Sequence, residues 1–190
     1  WKVLYASKLM TADEAVRQIP DGSRVFFGHA ANEPPVLVDA LVRNYEQYKD
    51  VEIVHWVPMG KGEYCDPKMK GHLRHNAMFV GGTKPACLNA KMVIAQVNDQ
   101  MPRTMGESFL HVSQLTCCVE ASTPLPELGG GTIGEVEEAI GRNVASLVED
   151  GSTLQLGIGN IPDAVLKFLG DKKDLGIHSE MFSDGVVDLY

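Results

Sequence analysis

The stretch DGSTLQLGIGNIPDAVLKFLGDKKDLGIHSE, Asp150 to Glu180, reads as a complete strand–helix–strand unit. Asp150-Gly151-Ser152 has the composition of a turn. Thr153 to Leu156 lead into a glycine loop at Gly157 and Gly159. Pro162 suits the first turn of a helix, where its missing N–H would be unpaired anyway. Ala164, Val165, Phe168 and Leu169 can then face a sheet. Leu175, Gly176 and Ile177 start a second buried strand, which breaks off into His178, Ser179 and Glu180. Two strands joined through a helix run parallel, since a short hairpin cannot connect them that way. The glycine loop and Glu180 then share the sheet edge on which open parallel sheets bind ligands.

The same order of signals occurs earlier in the chain. DGSRVFFGHAANEPPVLVDAL begins at Asp21, and DVEIVHWV follows from Asp50, as DLGIHSEMF follows from Asp174. Both segments run turn, strand, glycine loop, proline, helix, strand, so they look like two copies of one unit. Chance likeness between two β-α-β units is the alternative. Pairing Ile53 with Ile177 sets Trp56 opposite Glu180. Packing accounts for a tryptophan there. It does not account for a carboxylate, which is costly to bury unpaired. A solvated turn residue or a helix cap is the plain reading of Glu180. The Gly157–Gly159 loop likewise reads either as a tight turn or as a cradle, where backbone N–H groups at a helix start meet an anion.

Other elements fall into the same alternation. Thr11 and Glu14 have capping-box spacing. RVFFG, from Arg24, reads as a buried strand, Val36 to about Tyr45 as a helix, and Val51 to Val57 as a strand. Met59 to Pro85 reads as irregular surface. Ala90 to Asn98 and Gln114 to Ser122 read as strands. Thr132 to Glu149 reads as the strongest helix, with Thr132 and Glu135 as its capping box. Ile133, Val136, Ile140, Val144 and Leu147 form its apolar face. The whole predicts an α/β fold, a largely parallel sheet with helices on both faces.

Composition excludes several classes. A net charge of −8 does not suit a general nucleic-acid binder, which needs clustered Lys and Arg. No apolar run approaches ~18 residues, so no membrane span is expected. The opening WKVLYASKLMTADEAV lacks a signal-peptide pattern, and its first residue is not Met, so residues ahead of Trp1 are expected. The four cysteines contain no C-x-x-C pair, and reduced thiols are expected. His72 and His75 form an H-x-x-H that would need further ligands to hold a metal, so no metal site is expected.

Three stretches carry a resemblance. GIGNIPDAVLKFLGDKKDLGIHSEMFSDGVVDL, AKMVIAQVNDQMPRTMGESFLHVS and GHLRHNAMFVGG resemble the acetyl-CoA hydrolase/transferase family, over nearly the whole chain. The resemblance implies a CoA-transferase-type fold in which two related halves face each other. It implies that Glu180 is the catalytic glutamate and that Gly157, Ile158, Gly159, Asn160 and Ile161 form a CoA-contacting loop. It implies transfer of CoA between a short-chain acyl-CoA and a carboxylic acid such as 4-hydroxybutyrate, butyrate or acetate, through a glutamyl-CoA thioester. Coenzyme A is then a substrate, with no permanently bound cofactor and no metal. A cytoplasmic homodimer is expected, without nucleic-acid or membrane partners. Thioester hydrolysis on the same scaffold, or a non-catalytic half-fold, are the alternatives.

On this reading residues 1–145 form an N-terminal domain, and 146–190 form a β-α-β unit that carries the active site and opens a C-terminal domain. The family continues beyond Tyr190. It also has several dozen more residues where Thr83 joins FVGG to KPACLNAK, so a segment is expected to be missing near 82–85. His178 reads as a positioning or packing residue. Arg103, in NDQMPR with Asn98, Asp99 and Gln100, either meets a carboxylate or serves a loop network. His29 is open to the same two readings.

Overall fold

The structure, a computed structural model, describes residues 1–77, 90–106, 108–127 and 129–190. The expected junction near 82–85 lies outside the described residues. The chain forms two compact units, Trp1–Glu127 and Leu128–Tyr190. Every strand pairing among the described residues is parallel. The α/β fold with parallel strands is as expected; among the described residues the strands form a three-stranded sheet and two pairs. No helix among the described residues is long and apolar enough to cross a membrane.

The first unit begins with α1 (Lys2–Ala6) and α2 (Ala12–Val16). Thr11 caps α2 as its spacing predicts. Its hydroxyl accepts the Glu14 N–H at 3.3 Å, and the Glu14 carboxylate accepts the Thr11 N–H at 2.9 Å. The three-stranded sheet has the order β1 (Arg24–Phe26), β2 (Val51–His55), β3 (Leu73–Ala77). β2 lies between two partners, and all five of its residues are buried, including Glu52 and His55. Glu52 is tolerable there because both neighbours neutralise it. Arg24 and Arg74, its register partners on β1 and β3, both pair with its carboxylate, and Asn76 donates to it at 3.1 Å. Arg24 foremost, then Asn76, hold that carboxyl below the usual range.

β3 corrects the sequence reading, which placed it in irregular surface. Leu-Arg-His-Asn-Ala has no strand composition. Only Leu73 is buried, and the strand exists through its ladder to β2. β1 is half-buried rather than buried. Helix α3 (Pro35–Arg43) crosses from β1 to β2, with Pro35 in its first turn. Its first free N–H groups, Val36 and Leu37, donate to the side chain of Gln96 at 3.0 and 3.4 Å. Gln96 belongs to β4 (Ile94–Val97), which pairs with β5 (Cys117–Glu120). Val16, Leu41, Tyr48, Ile53, Tyr64 and Met69 form the heart of this unit's core.

The second unit holds α4 (Glu135–Ala145), β6 (Thr153–Leu154), α5 (Asn160–Lys167), β7 (Gly176–Ile177) and α6 (Asp184–Leu189). The cap of α4 differs from expectation. Thr132 and Glu135 are not its capping box; the N-cap is Gly134, whose N–H donates to the Glu137 carboxylate at 3.0 Å. The packed face differs too. Val136, Val144 and Leu147 are exposed, while Gly141 and Ala145 are buried. Gly141 lets α4 touch α5 backbone to backbone, since a Cβ there would sit 2.6 Å from the Ala164 carbonyl oxygen. Leu156, Val165, Leu166, Leu169 and Val186 complete this small core with Ala145.

The two β-α-β segments agree in detail that chance likeness does not supply. Asp21 and Asp150 each accept a backbone N–H, from Lys49 at 2.8 Å and from Lys173 at 2.9 Å. Gly22 and Gly151 each donate to the carbonyl of that same lysine at 2.8 Å. Asp50 and Asp174 both take a left-handed backbone, at φ 51° and 55°, which few residues other than glycine adopt. The registers match as well, Val25 with Ile53 and Leu154 with Ile177.

Candidate active site

In the second unit the chain leaves β6 through Gln155 and buried Leu156, then turns at Gly157 to Gly159 into α5. Gly159 is the N-cap of α5 at φ 119°, where a side chain would be strained. The opening N–H groups of α5 have no partner within the helix, and the helix dipole favours negative charge beside them. Asn160 is tied back by its amide, which donates to the Thr132 carbonyl at 3.1 Å. Gly131 packs so closely on Asn160 that a Cβ would lie 1.9 Å from its Oδ1. Ile158 and Ile161 expose about half of their surface, at 53% and 48%.

β7 delivers the other side of the site. His178 stays on the ladder through its N–H, which donates to the Leu154 carbonyl at 2.9 Å. The Ser179 hydroxyl accepts the Leu156 N–H at 3.1 Å and donates to the Leu156 carbonyl at 2.8 Å. Glu180 follows, exposed, and no described residue pairs with its carboxylate. Gln155, Ile177, His178, Ser179 and Glu180 line an open depression of about 570 Å³. The glycine loop and Glu180 therefore leave the C-terminal ends of one parallel strand pair, one residue either side of the Leu156–Ser179 contact. Such an edge can offer a carboxylate nucleophile beside backbone donors.

Known proteins share the sequence pattern and the fold. Residues 2–82 match the acetyl-CoA hydrolase/transferase N-terminal domain. The 4-hydroxybutyrate coenzyme A transferase of Clostridium kluyveri is 47% identical over 245 residues, covering all of this chain and 57% of that protein. Over residues 2–82 the chain is similar to the acetyl-CoA hydrolase/transferase family. The butyryl-CoA:acetate CoA-transferase of Anaerostipes caccae is 27% identical, again over all of this chain and 56% of that protein. The crystal structure of 4-hydroxybutyrate CoA-transferase from Porphyromonas gingivalis superposes with a TM-score of 0.92 at 36% identity, covering all of this chain and 58% of that one. The α/β fold is thus that of CoA-transferases, and the chain spans under two thirds of these relatives' length.

Other residues singled out in the sequence have separate settings. Asn98 serves its own loop, donating to the Thr123 carbonyl at 2.8 Å and accepting N–H groups from Thr123 and Gln100. His29 leans on Trp56 with ring centroids 4.7 Å apart, and its Nδ1 is buried without a partner among the described residues. His72 and His75 do not converge. His72 Nδ1 meets the Tyr48 carbonyl at 2.8 Å, while His75 Nε2 meets His55 Nε2 at 2.5 Å. A second open depression, about 410 Å³, lies beside Tyr64, Cys65, Arg74 and His75 on the first unit. Sequence reasoning gave Ser179 and Gly131 no role. Only the glycine run of residues 129–131 hinted at close packing; nothing local marked the serine.

Proposed function

We propose that the protein is a CoA-transferase that uses Glu180 as its nucleophile. The observation that carries this reading is the position of Glu180. It is a carboxylate without a partner among the described residues, just past the end of β7, in a depression one residue from the contact that joins β7 to the Gly157–Ile161 loop. The Glu180 carboxylate attacks the carbonyl carbon of an acyl-CoA, and the C–S bond breaks to give an acyl-glutamyl anhydride and CoA thiolate. The thiolate attacks the glutamyl carbonyl, releasing the carboxylate of the first acid and leaving a glutamyl-CoA thioester. A second acid runs the two steps backwards and leaves as its own CoA thioester. No redox change occurs, and no proton need be lost overall.

The relatives named above transfer CoA to 4-hydroxybutyrate or acetate by name, which supports short-chain acids as acceptors. We assign Gly157, Ile158, Gly159, Asn160 and Ile161 to CoA. Their backbone is open, the start of α5 favours anions, and the two isoleucines offer apolar surface to the pantetheine arm. Residues 146–190 are thus the unit that carries the chemistry. A cytoplasmic homodimer accompanies this reading; the free thiols of Cys65, Cys117 and Cys118 suit a reducing compartment. Light scattering of the full-length protein checks the dimer.

The decisive experiment incubates full-length protein with acyl-CoA, reduces with borohydride and maps the peptides. Modification of Glu180, absent from Glu180→Gln, is expected. Label on another residue sinks the assignment. Rapid release of free CoA without an acid acceptor indicates hydrolysis instead.

A further inference from the structure

The two copies of the β-α-β unit provide an internal control. In the first, the parallel ladder continues beyond β1, and the Phe27 N–H donates to the Val54 carbonyl at 3.1 Å. The register that sets Val25 against Leu154 and Ile53 against Ile177 sets Phe27 against Leu156 and Val54 against His178. The matching bond in the second copy would run from the Leu156 N–H to the His178 carbonyl. It is not made. The Leu156 N–H goes to the Ser179 hydroxyl instead, at 3.1 Å. A parallel ladder would next send the Glu180 N–H to the Leu156 carbonyl. That carbonyl too is taken by Ser179, at 2.8 Å. The first copy makes the first of these bonds and not the second, so the hydroxyl stands in for one main-chain bond and also occupies the acceptor at which the first copy's ladder stops.

The substitution has geometric consequences. A side chain now stands between strand ends that would otherwise close on each other. The His178 carbonyl and Glu180 N–H make no hydrogen bond among the described residues. The depression lined by Gln155, Ile177, His178, Ser179 and Glu180 opens at this gap. Leu156 is buried, 8% exposed, so both its main-chain groups need a partner, and Ser179 is the one they have.

We propose that Ser179 is a positioning residue for the transfer reaction. Its hydroxyl wedges the ends of β6 and β7 apart and fixes the Glu180 peptide against the residue that opens the Gly157–Ile161 loop. This rests on Glu180 being the nucleophile. Without the hydroxyl, the Leu156 N–H recovers a partner by closing the ladder onto the His178 carbonyl, as Phe27 does onto Val54. That withdraws the Glu180 peptide into the sheet and narrows the depression.

The test compares full-length parent, Ser179→Ala, Ser179→Thr, Ser179→Val and Glu180→Gln, each assayed below its own thermal midpoint. Misplacing a reacting group by an ångström costs up to about 100-fold, so Ser179→Ala should lose at least ~10-fold in kcat with KM for acyl-CoA within about threefold. Ser179→Thr, which keeps the hydroxyl, should stay within about threefold of parent, and Ser179→Val, of the same shape, should fall with alanine. The Thr/Val pair decides the matter should the alanine protein fail to fold. Parental kcat in the valine or alanine protein, or equal losses in Thr and Val, overturns the proposal while an inactive Glu180→Gln leaves the nucleophile standing. Full turnover by Glu180→Gln removes the nucleophile, and the role of Ser179 with it.

Discussion

Gly141 offers the sharpest test of how packing places the loop. It lies on the face of α4 that meets α5, and α5 begins at the Gly157–Ile161 loop. A methyl added at Gly141 would sit 2.6 Å from the Ala164 oxygen and 2.7 Å from the Ala164 carbon. Ordinary contact begins at 3.4 Å, and both atoms are backbone, so the helices must part by about 0.8 Å. Overpacking of this kind costs ~1–3 kcal/mol. Against it, alanine gains up to about 1 kcal/mol of helix propensity over glycine. Gly141→Ala is then between neutral and ~2 kcal/mol destabilised. Valine recovers only a few tenths of the propensity and adds two more methyls, so Gly141→Val should lose about 3 kcal/mol. Urea unfolding followed by far-UV circular dichroism measures both. If Gly141→Ala gains ~1 kcal/mol and Gly141→Val loses under ~0.5, only propensity is acting and α4 does not touch α5 as described.

Three further outcomes are expected. His55 is buried, its Nδ1 has no partner among the described residues, and its Nε2 faces His75. Burial first, then His75, hold it below its usual 6.5, while Glu33 opposes them; Tyr64, raised to about 12, stays neutral. The unfolded chain therefore binds this proton more readily, so stability is full above about 6.5 and declines as pH falls below it. A urea midpoint that rises between pH 7.5 and 5.5, or a decline that His55→Phe leaves intact, contradicts this. Gly159→Ala should cost ~1–3 kcal/mol from strain at φ 119° and weaken CoA binding; calorimetry showing parental affinity and an unchanged midpoint would refute it. Asp21→Ala and Asp150→Ala each remove one side-chain bond to a turn N–H, so each should lose about 1 kcal/mol in chemical denaturation, and losses differing by more than ~1 would break the likeness of the two turns.

Much of the architecture was open to reading because its signals are local. Asp-Gly turns, the Thr11–Glu14 cap, the glycine loop and Pro162 act within a few residues, and the order of elements follows from them. The duplicated unit was visible for the same reason, and the resemblance around Glu180 pointed to one carboxylate. Other features had no local signal. Leu73–Ala77 is a strand because β2 offers it an edge, not because its residues prefer one. The apolar stripe of α4 pointed to Val136, Val144 and Leu147, yet close approach of two backbones selects the smallest side chain, so Gly141 faces α5. Ser179 could not be recognised from HSE, because its two partners are main-chain groups on another strand. Chain-local chemistry sets which elements form and which residues are reactive. Which hydrogen bond closes across a gap depends on what stands opposite, and that is known only once the strands are paired.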